Sequence, residues 1–519
     1  MNMLPAKIKN NYFMLFLAAF IVLHAALLNA NAAEWGDSYR ILRASQFIRQ
    51  LSYPQDEKRP PLFSALLATY PPNVDPVRWG RVLMLAVSVC SFYVFYLLSK
   101  QLLGQNENAV YLALMLFMFN PVYLYWSIRI MADVPFALLA MLAVYLYTLW
   151  KKNPTVWRYV ILGLITGLAI LTRFEGYVLL GSFLLAIGIE QRKKLATALA
   201  YPATALVTIL PYLLYVNPLS SKYLTEPANR VYDLKTLLVF LVSLLFLFGF
   251  TSALYFAFFN RRNLWMILKE NRVVLFFVGF ELLLILVWPA AIPRLFVAII
   301  PFLIILLAKC ITAYFDGEIF HKAKFFILRL FDKDFYVVQL FVVMGLLALY
   351  IASLFLFSLQ FLVIAKYAFL ALVAVGLVNI VAIIFRARTI FVVSMCVSCL
   401  IWSFAVIWMH KDIFKQLNSA GVLAKTLPGP IAYNDVSALT PWHLGDKGVY
   451  IDLTNKEKGS YERLVDENIR YVMVTNEHNP QLKYDLGKRP FLLLVKEFRG
   501  TVNGQEFFTL VAEVLPGGK

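Results

Sequence analysis

The sequence predicts a polytopic α-helical membrane protein of about thirteen transmembrane helices, followed by a small C-terminal extracytoplasmic α/β domain. Three observations lead there. Of 519 residues, 61% are hydrophobic and only 15% charged, against about 45–50% and about 25% in soluble domains, and the mean hydropathy is +0.71. Apolar stretches long enough to span a bilayer recur from residue 12 to residue 409, and the composition turns polar after about residue 410. A soluble enzyme and a disordered chain are both excluded. The net charge of +18 would suggest nucleic acid in a soluble protein. Here basic cytoplasmic loops explain it, and no nucleic-acid partner is expected. Four cysteines in this length give no disulfide framework.

A spanning helix needs roughly 20 mostly apolar residues. Such stretches lie near 12–31, 78–99, 108–126, 133–150, 157–172, 174–190, 195–215, 236–259, 272–289, 294–314, 336–359, 362–385 and 389–409. The first follows Lys7 and Lys9 and ends in Ala30-Asn31-Ala32, a pattern that also marks signal cleavage. Its apolar run is long for a signal peptide, so it reads as a retained span, and the orientation of the remainder is the same either way. With the N-terminus in the cytoplasm, the inner loops receive Lys100, Lys151, Lys152, Arg158, Arg192 to Lys194, Arg261, Arg262, Lys269, Arg272, Lys309 to Lys333, Arg386 and Arg388. That is most of the basic surplus, as the positive-inside rule requires. The outer side receives 32–77, 216–235, the short connections 127–132, 173–176 and 290–293, and everything after 410.

The division is therefore a transmembrane domain over 1–409, with interfacial helices in the outer loop 32–77, and a soluble domain over 410–519. In the tail, Pro428-Gly429-Pro430 and Gly445 punctuate short apolar runs. Strands are expected at 431–433, 448–451, 471–474, 491–495 and 507–514, with a helix over 460–468.

The polar residues that are not cytoplasmic anchors gather on the outer side. Asp37, Lys58, Arg59, Arg129, Asp133, Arg173, Glu175 and Arg294 all fall at outer helix ends or in outer loops. Charges at such depth are functional candidates by default. Each has a plainer reading. Asp37, after Glu34-Trp35-Gly36, suits the N-cap of an amphipathic interfacial helix, and Asp133 suits the N-cap of the fourth long helix, with Pro135 in its first turn. Lys58 and Arg59 suit interfacial anchoring, Arg173 and Glu175 suit a mutual pair, and Arg294 suits snorkelling. Against the last stands phosphate binding, since a guanidinium fork matches a phosphate. Glu281 lies mid-helix, and its partner cannot be read from sequence. Cys396 and Cys399 fall inside a membrane helix, where their spacing reads as packing.

The stretches Asp37, Arg59-Pro60-Pro61, Arg129 to Pro135, Gly163-Leu164-Ile165-Thr166-Gly167-Leu168-Ala169-Ile170-Leu171-Thr172-Arg173 and Arg294 to Pro301 carry a family pattern in their order and common sidedness. They resemble membrane glycosyltransferases of the C-type (GT-C) fold, the protein O-mannosyltransferases and lipid A aminoarabinose transferases in particular. The resemblance covers about residues 10–310 by motif and the rest by layout. It implies transfer of a sugar, with inversion, from a polyprenyl-phosphate donor to a lipid, glycan or protein acceptor outside the membrane. It implies Asp37 as general base, Asp133 orienting the acceptor or a cation, and Lys58, Arg59 and Arg294 on the lipid phosphate. Glu34, Arg129, Arg173 and Glu175 support them. The setting implied is a bacterial inner or archaeal plasma membrane. The chain departs from the pattern where Ser38 follows Asp37 in place of an acidic residue, and where Arg59 replaces a Lys before Pro-Pro. Lys58 stands where relatives place a metal-binding Glu, so no bound metal or other cofactor is expected, although a divalent cation is compatible with the chemistry. His443 with Asp435 or Asp446 is too thin a constellation for a metal site.

Two other classes compete. A secondary transporter or lipid flippase would place ionisable groups near the midplane of repeated halves. Glu281 and Lys366 favour it, while the one-sided polar cluster and the lack of an internal repeat do not. A non-enzymatic scaffold would leave Asp37 and Asp133 without purpose.

Overall fold

The computed structural model describes residues 6–54, 57, 59–104, 106–190, 198–215, 269–288, 293–315, 387–453, 461–479, 481–482, 484, 489–502 and 504–516, with scattered positions at 232–247 and 371–385. The expected span at 336–359 and most of those at 236–259 and 362–385 lie outside the described residues, as do Lys58 and Lys366. Two compact units emerge. The described residues of 1–28, 55–359 and 365–406 form one, and those of 29–54 and 407–519 the other.

The first unit is helical, and the protein is an integral membrane protein. In chain order its helices are α1 (Ala6–Leu27), then, after α2 of the other unit (Gly36–Arg49), α3 (Leu62–Leu67), α4 (Pro76–Leu103), α5 (Glu107–Met118), α6 (Pro121–Ser127), α7 (Asp133–Trp150), α8 (Val156–Thr172), α9 (Gly176–Glu190), α10 (Ala200–Tyr215), α11 (Arg272–Val287), α12 (Ile300–Phe315) and α13 (Arg388–His410). Among the described residues α4, α7 and α13 are long and apolar enough to cross a membrane, and the bent pair α5–α6 makes a fourth if it is one span. The other apolar helices are shorter, so thirteen remains a count made on sequence.

Local chemistry explains the breaks. The stretch expected as one span over 108–126 bends by 55°. Asn120 caps α6 by accepting the Tyr123 N–H at 2.9 Å, and Pro121 occupies the first turn, which ends α5 and starts a new direction. The α8–α9 corner is tight because Gly176 lies against the backbone of Ala169 and Ile170, where a Cβ would collide. The same holds within α8. Gly163 faces Tyr201, Thr204 and Ala205 of α10, and Gly167 faces Thr208. The two glycines, four residues apart, let the backbones approach as small residues do in membranes. Cys90, Cys310, Cys396 and Cys399 are all free thiols, the last three buried.

The second unit is α/β. Beyond α2 it contains α14 (Lys415–Thr426), β1 (Ile431–Tyr433), α15 (Leu439–Leu444), β2 (Gly448–Tyr450), α16 (Tyr461–Asp466), β3 (Tyr471–Thr475), β4 (Leu492–Val502) and β5 (Gln505–Val514). The sheet order is β2-β1-β3-β5-β4. Strands β2, β1 and β3 are parallel, whereas β5 runs antiparallel to both β3 and β4. Central β3 is buried at every position, as expected of a strand covered on both faces. Its core includes Ala432, Leu453, Leu464, Val472, Val474 and Ala512. The five expected strands and the helix are present, and α14 and α15 were not anticipated. Segment 29–54 groups with this unit, and α2 packs its buried face, including Tyr39, Ile41 and Leu42, on α15.

Candidate active site

Asp133 opens α7, but the capping position is Ala132, and no side chain caps the helix. The expectation of an Asp133 cap is therefore corrected: its carboxylate points elsewhere. Asp133 Oδ1 accepts from Arg173 Nη1 at 2.6 Å, and the residue is 3% exposed. Arg173 also pairs with Glu175. The backbone of Arg173 is extended between α8 and α9, and that three-residue corner lets one guanidinium serve two carboxylates. Burial pushes the Glu175 carboxyl up, but the charge and hydrogen bond of Arg173, together with the Arg294 charge, outweigh this and hold it below the usual range.

Around this pair lie further charges. Arg294 sits in a 3₁₀ turn over Pro293–Phe296, with its guanidinium carbon 5.8 Å from the Trp126 ring centre. Arg129 is 2% exposed and lies 4.7 Å from the Tyr125 ring centre. The two rings meet edge to face at 4.9 Å, forming an aromatic platform with a cation at each ring. The platform helix α6 is tied to α1, since Ser127 Oγ lies 2.8 Å from His24 Nε2. Glu281 of α11 is 1% exposed and interacts electrostatically with Glu175 and Arg173. The Oδ2 of Asp133 and the Oε1 of Glu281 are buried and have no hydrogen-bond partner among the described residues.

Thus Arg129, Asp133, Arg173, Glu175 and Arg294 form one connected cluster, and Glu281 joins it. In sequence the partner of Glu281 could not be read, because nothing in the chain order reveals that α11 packs beside α9. Arg59 makes a local pair, its Nη1 3.1 Å from Glu57 Oε1, and Glu57 went unremarked in the sequence although two residues away. Among the described residues no three His, Cys, Asp or Glu side chains converge as a metal site. The cluster can do two things chemically. The guanidinium groups of Arg129 and Arg294 beside aromatic rings, with Arg173 close to the same carboxylates, attract a phosphate, because charges interact more strongly where water is partly excluded. The unpartnered carboxylate oxygens accept hydrogens from hydroxyl or amine groups.

Asp37 and Glu34 belong to the α/β unit. Trp35, not Asp37, occupies the N-cap of α2, and no side chain caps it. The expectation of a capping role is again corrected, and Asp37 sits half-buried in the first turn. Glu34 is fully buried, and its N–H donates to the Tyr39 hydroxyl at 3.3 Å. In the same unit His443 Nε2 meets Asn418 Oδ1 at 2.9 Å, and Asp435 pairs with His478.

Residues 59–215 match the family model for dolichyl-phosphate-mannose-protein mannosyltransferase. That stretch contains Arg59, Arg129, Asp133, Arg173 and Glu175. No curated protein sequence matches the chain. Among solved structures, ArnT from Cupriavidus metallidurans bound to undecaprenyl phosphate aligns at 14% identity with a TM-score of 0.63, over 98% of both chains. Its apo state aligns at 13% and 0.62, over 97% of this chain and 98% of that one. The apo Archaeoglobus fulgidus oligosaccharyltransferase aligns at 12% and 0.51, over 89% of this chain and 69% of that one. The fold expected from the motifs, that of the C-type membrane glycosyltransferases, is the fold of this chain.

Proposed function

We propose, for a chain that has the C-type glycosyltransferase fold and is protein-mannosyltransferase-like over residues 59–215, that it transfers a sugar from a polyprenyl-phosphate donor to an acceptor on the outer face of the membrane. The observation that carries this reading is the cluster of buried Arg129, Asp133 and Glu281 with half-buried Arg173, Glu175 and Arg294. Such a mixture costs several kcal/mol per unmatched ion in a membrane protein, and a phosphate leaving group gives it a use. The bound undecaprenyl phosphate of the ArnT structure supports a ligand of that class.

In this mechanism Arg294 and Arg59, with Lys58, hold the lipid phosphate. The acceptor oxygen or nitrogen attacks the anomeric carbon from the face opposite that phosphate. The bond from the anomeric carbon to the phosphate oxygen breaks, and the electron pair leaves with polyprenyl phosphate. The arginines stabilise the negative charge that grows there. Asp37 accepts the proton that the acceptor loses. Asp133, fixed through Oδ1 by Arg173, orients the acceptor with its open Oδ2. Arg129 and Glu175 keep that pair in place, and Glu34 supports the Asp37 segment. The basic residues assigned to inner loops support a cytoplasmic N-terminus and an extracytoplasmic C-terminal domain, in a bacterial inner or archaeal plasma membrane. The transporter reading drew on Glu281 and Lys366; Glu281 interacts with Glu175 and Arg173 of the charged cluster, and Lys366 lies outside the described residues.

The test compares envelope glycolipids, glycans and glycoproteins by mass spectrometry in a deletion strain, the deletion carrying wild type, and the deletion carrying Asp37→Asn. A sugar lost on deletion and restored by wild type but not by Asp37→Asn is the expected result. Restoration by Asp37→Asn would remove Asp37 as base.

A further inference from the structure

The α/β unit has a crevice of a recognisable kind. In the order β2-β1-β3 the chain leaves β1 to one side for β2 and returns on the other side for β3. The carboxyl ends of β1 and β3 therefore form a switch point, which is where open α/β sheets hold ligands. Here the crevice is built from Asp435 after β1 and Glu477-His478 after β3. Asn434 ties the two loops, donating to Thr475 O at 3.0 Å and accepting the Thr475 N–H at 2.9 Å.

Asp435 is 2% exposed and takes four hydrogens. The Ser437 N–H reaches Oδ1 at 2.9 Å, and the Ser437 and Thr440 hydroxyls reach Oδ2 at 2.6 and 2.8 Å. His478 Nε2 lies 2.9 Å from Oδ1. A carboxylate only accepts, so that nitrogen carries its hydrogen. The effect is to fix Ser437, whose Cβ would stand 3.3 Å from a Cβ added to Gly36. Gly36 begins α2, and Asp37 follows it. The rest of the segment is clamped to the same unit. The Ala32 N–H donates to Lys411 O at 2.8 Å, Trp35 packs edge-on against Phe414 at 5.7 Å, and Phe414 lies 5.7 Å from the His478 ring. In the place where such a sheet holds a ligand, this chain holds the turn that carries Asp37.

We propose that Asp435 and His478 are positioning residues for Asp37, setting the first turn of α2 through Ser437 and Gly36. This rests on the reading of Asp37 as general base. Misplacement by about 1 Å costs up to about a hundredfold in rate, so rigid support at this point matters to transfer and not to donor binding.

The experiment uses the full chain. Asp435→Ala, His478→Ala and His478→Gln are each expressed in the deletion strain, and the amount of transferred sugar is measured. Binding of undecaprenyl phosphate to the purified proteins is titrated, and hydrogen exchange across β3 reports whether the sheet is intact. The expected result is transfer lowered about tenfold or more by both alanine variants, lipid phosphate affinity within about twofold of wild type, and β3 protected as in wild type. His478→Gln, which restores a donor, should recover most of the transfer. Wild-type transfer in either alanine variant would overturn the proposal, as would loss of β3 protection in both, which would make the pair a folding element. Asp37→Asn run in parallel separates the two readings: if it is inactive while Asp435→Ala and His478→Ala are fully active, the base stands and the positioning pair falls. If Asp37→Asn is active, the base reading fails first.

Discussion

Arg173 Nη1 lies 2.6 Å from Asp133 Oδ1. The contact joins the corner between α8 and α9 to the first turn of α7, across 40 residues of sequence. It converts two helix-end charges, each of which reads as an anchor on its own, into one buried unit with Glu175.

Arg173→Ala is expected to destabilise the helical unit more than any single change at the surface. It strands Asp133 and Glu175, and breaking a buried pair by removing one partner costs about 3–5 kcal/mol. Thermal unfolding of the purified protein in detergent reads this directly. Arg173→Lys should lose less stability but still lose transfer, since one ammonium does not reproduce a fork that serves two carboxylates. An unchanged melting temperature in Arg173→Ala would show the network to be inert.

Arg294→Ala should weaken undecaprenyl phosphate binding by about tenfold, the scale of one charge-assisted contact, without changing the fold. Isothermal titration or a lipid-induced thermal shift measures it. Equal affinity in the variant and wild type removes Arg294 from the phosphate site.

Gly167→Leu should cost about 1–3 kcal/mol, the usual cost of overpacking, because a side chain there meets Thr208 of α10. Gly181→Ala is the control: nothing lies within 4 Å of its Cβ position. The control should equal or slightly exceed wild type in thermal stability, so a similar loss in both variants would count against the packing account.

The α/β unit should be more stable at pH 5.5 than at pH 8. Burial pushes the Glu477 carboxyl up to about 7, with the Asp435 charge adding to it and His478 opposing. The folded form therefore binds a proton more tightly than the unfolded form. The stability this confers is complete below the unfolded value of about 4.3 and is lost as pH rises through about 7. Asp435 is shifted the other way: burial raises it, but the hydrogen bonds from His478, Ser437 and Thr440 prevail. Its contribution is present above about 3.9 and lost only in stronger acid. Hydrogen exchange of β3 in the full chain at the two pH values tests this, and Glu477→Gln should flatten the difference.

The sheet strands at 431–433 and 471–475 were legible because short apolar runs between Pro and Gly turns have few other structures open to them. Helix α14 went unread although Gln416, Leu417, Ala420, Gly421 and Ala424 fall on one buried face, because a face made mostly of small or polar residues gives little hydropathic contrast. Span boundaries were read closely at α4, α7, α8 and α13, where hydropathy alone sets the length. The break at Asn120 escaped because an apolar count is blind to a cap followed by proline. In the cluster, the residue types were readable for Arg129, Asp133, Arg173, Glu175 and Arg294. Their partners were not, since a capping aspartate and an ion-paired aspartate have the same sequence neighbours.

From residues alone come the membrane class, the polar C-terminal domain and the resemblance of the motifs, because bilayer thickness and the cost of buried charge act locally along the chain. Tertiary structure alone decided that Arg173 bridges Asp133 and Glu175, that Glu281 joins them, that His478 holds Asp435, and that the Asp37 segment belongs with the α/β unit. Those are pairings between distant segments. They depend on which helices and loops pack together, and that is settled by the summed burial of whole surfaces rather than by any spacing in the sequence.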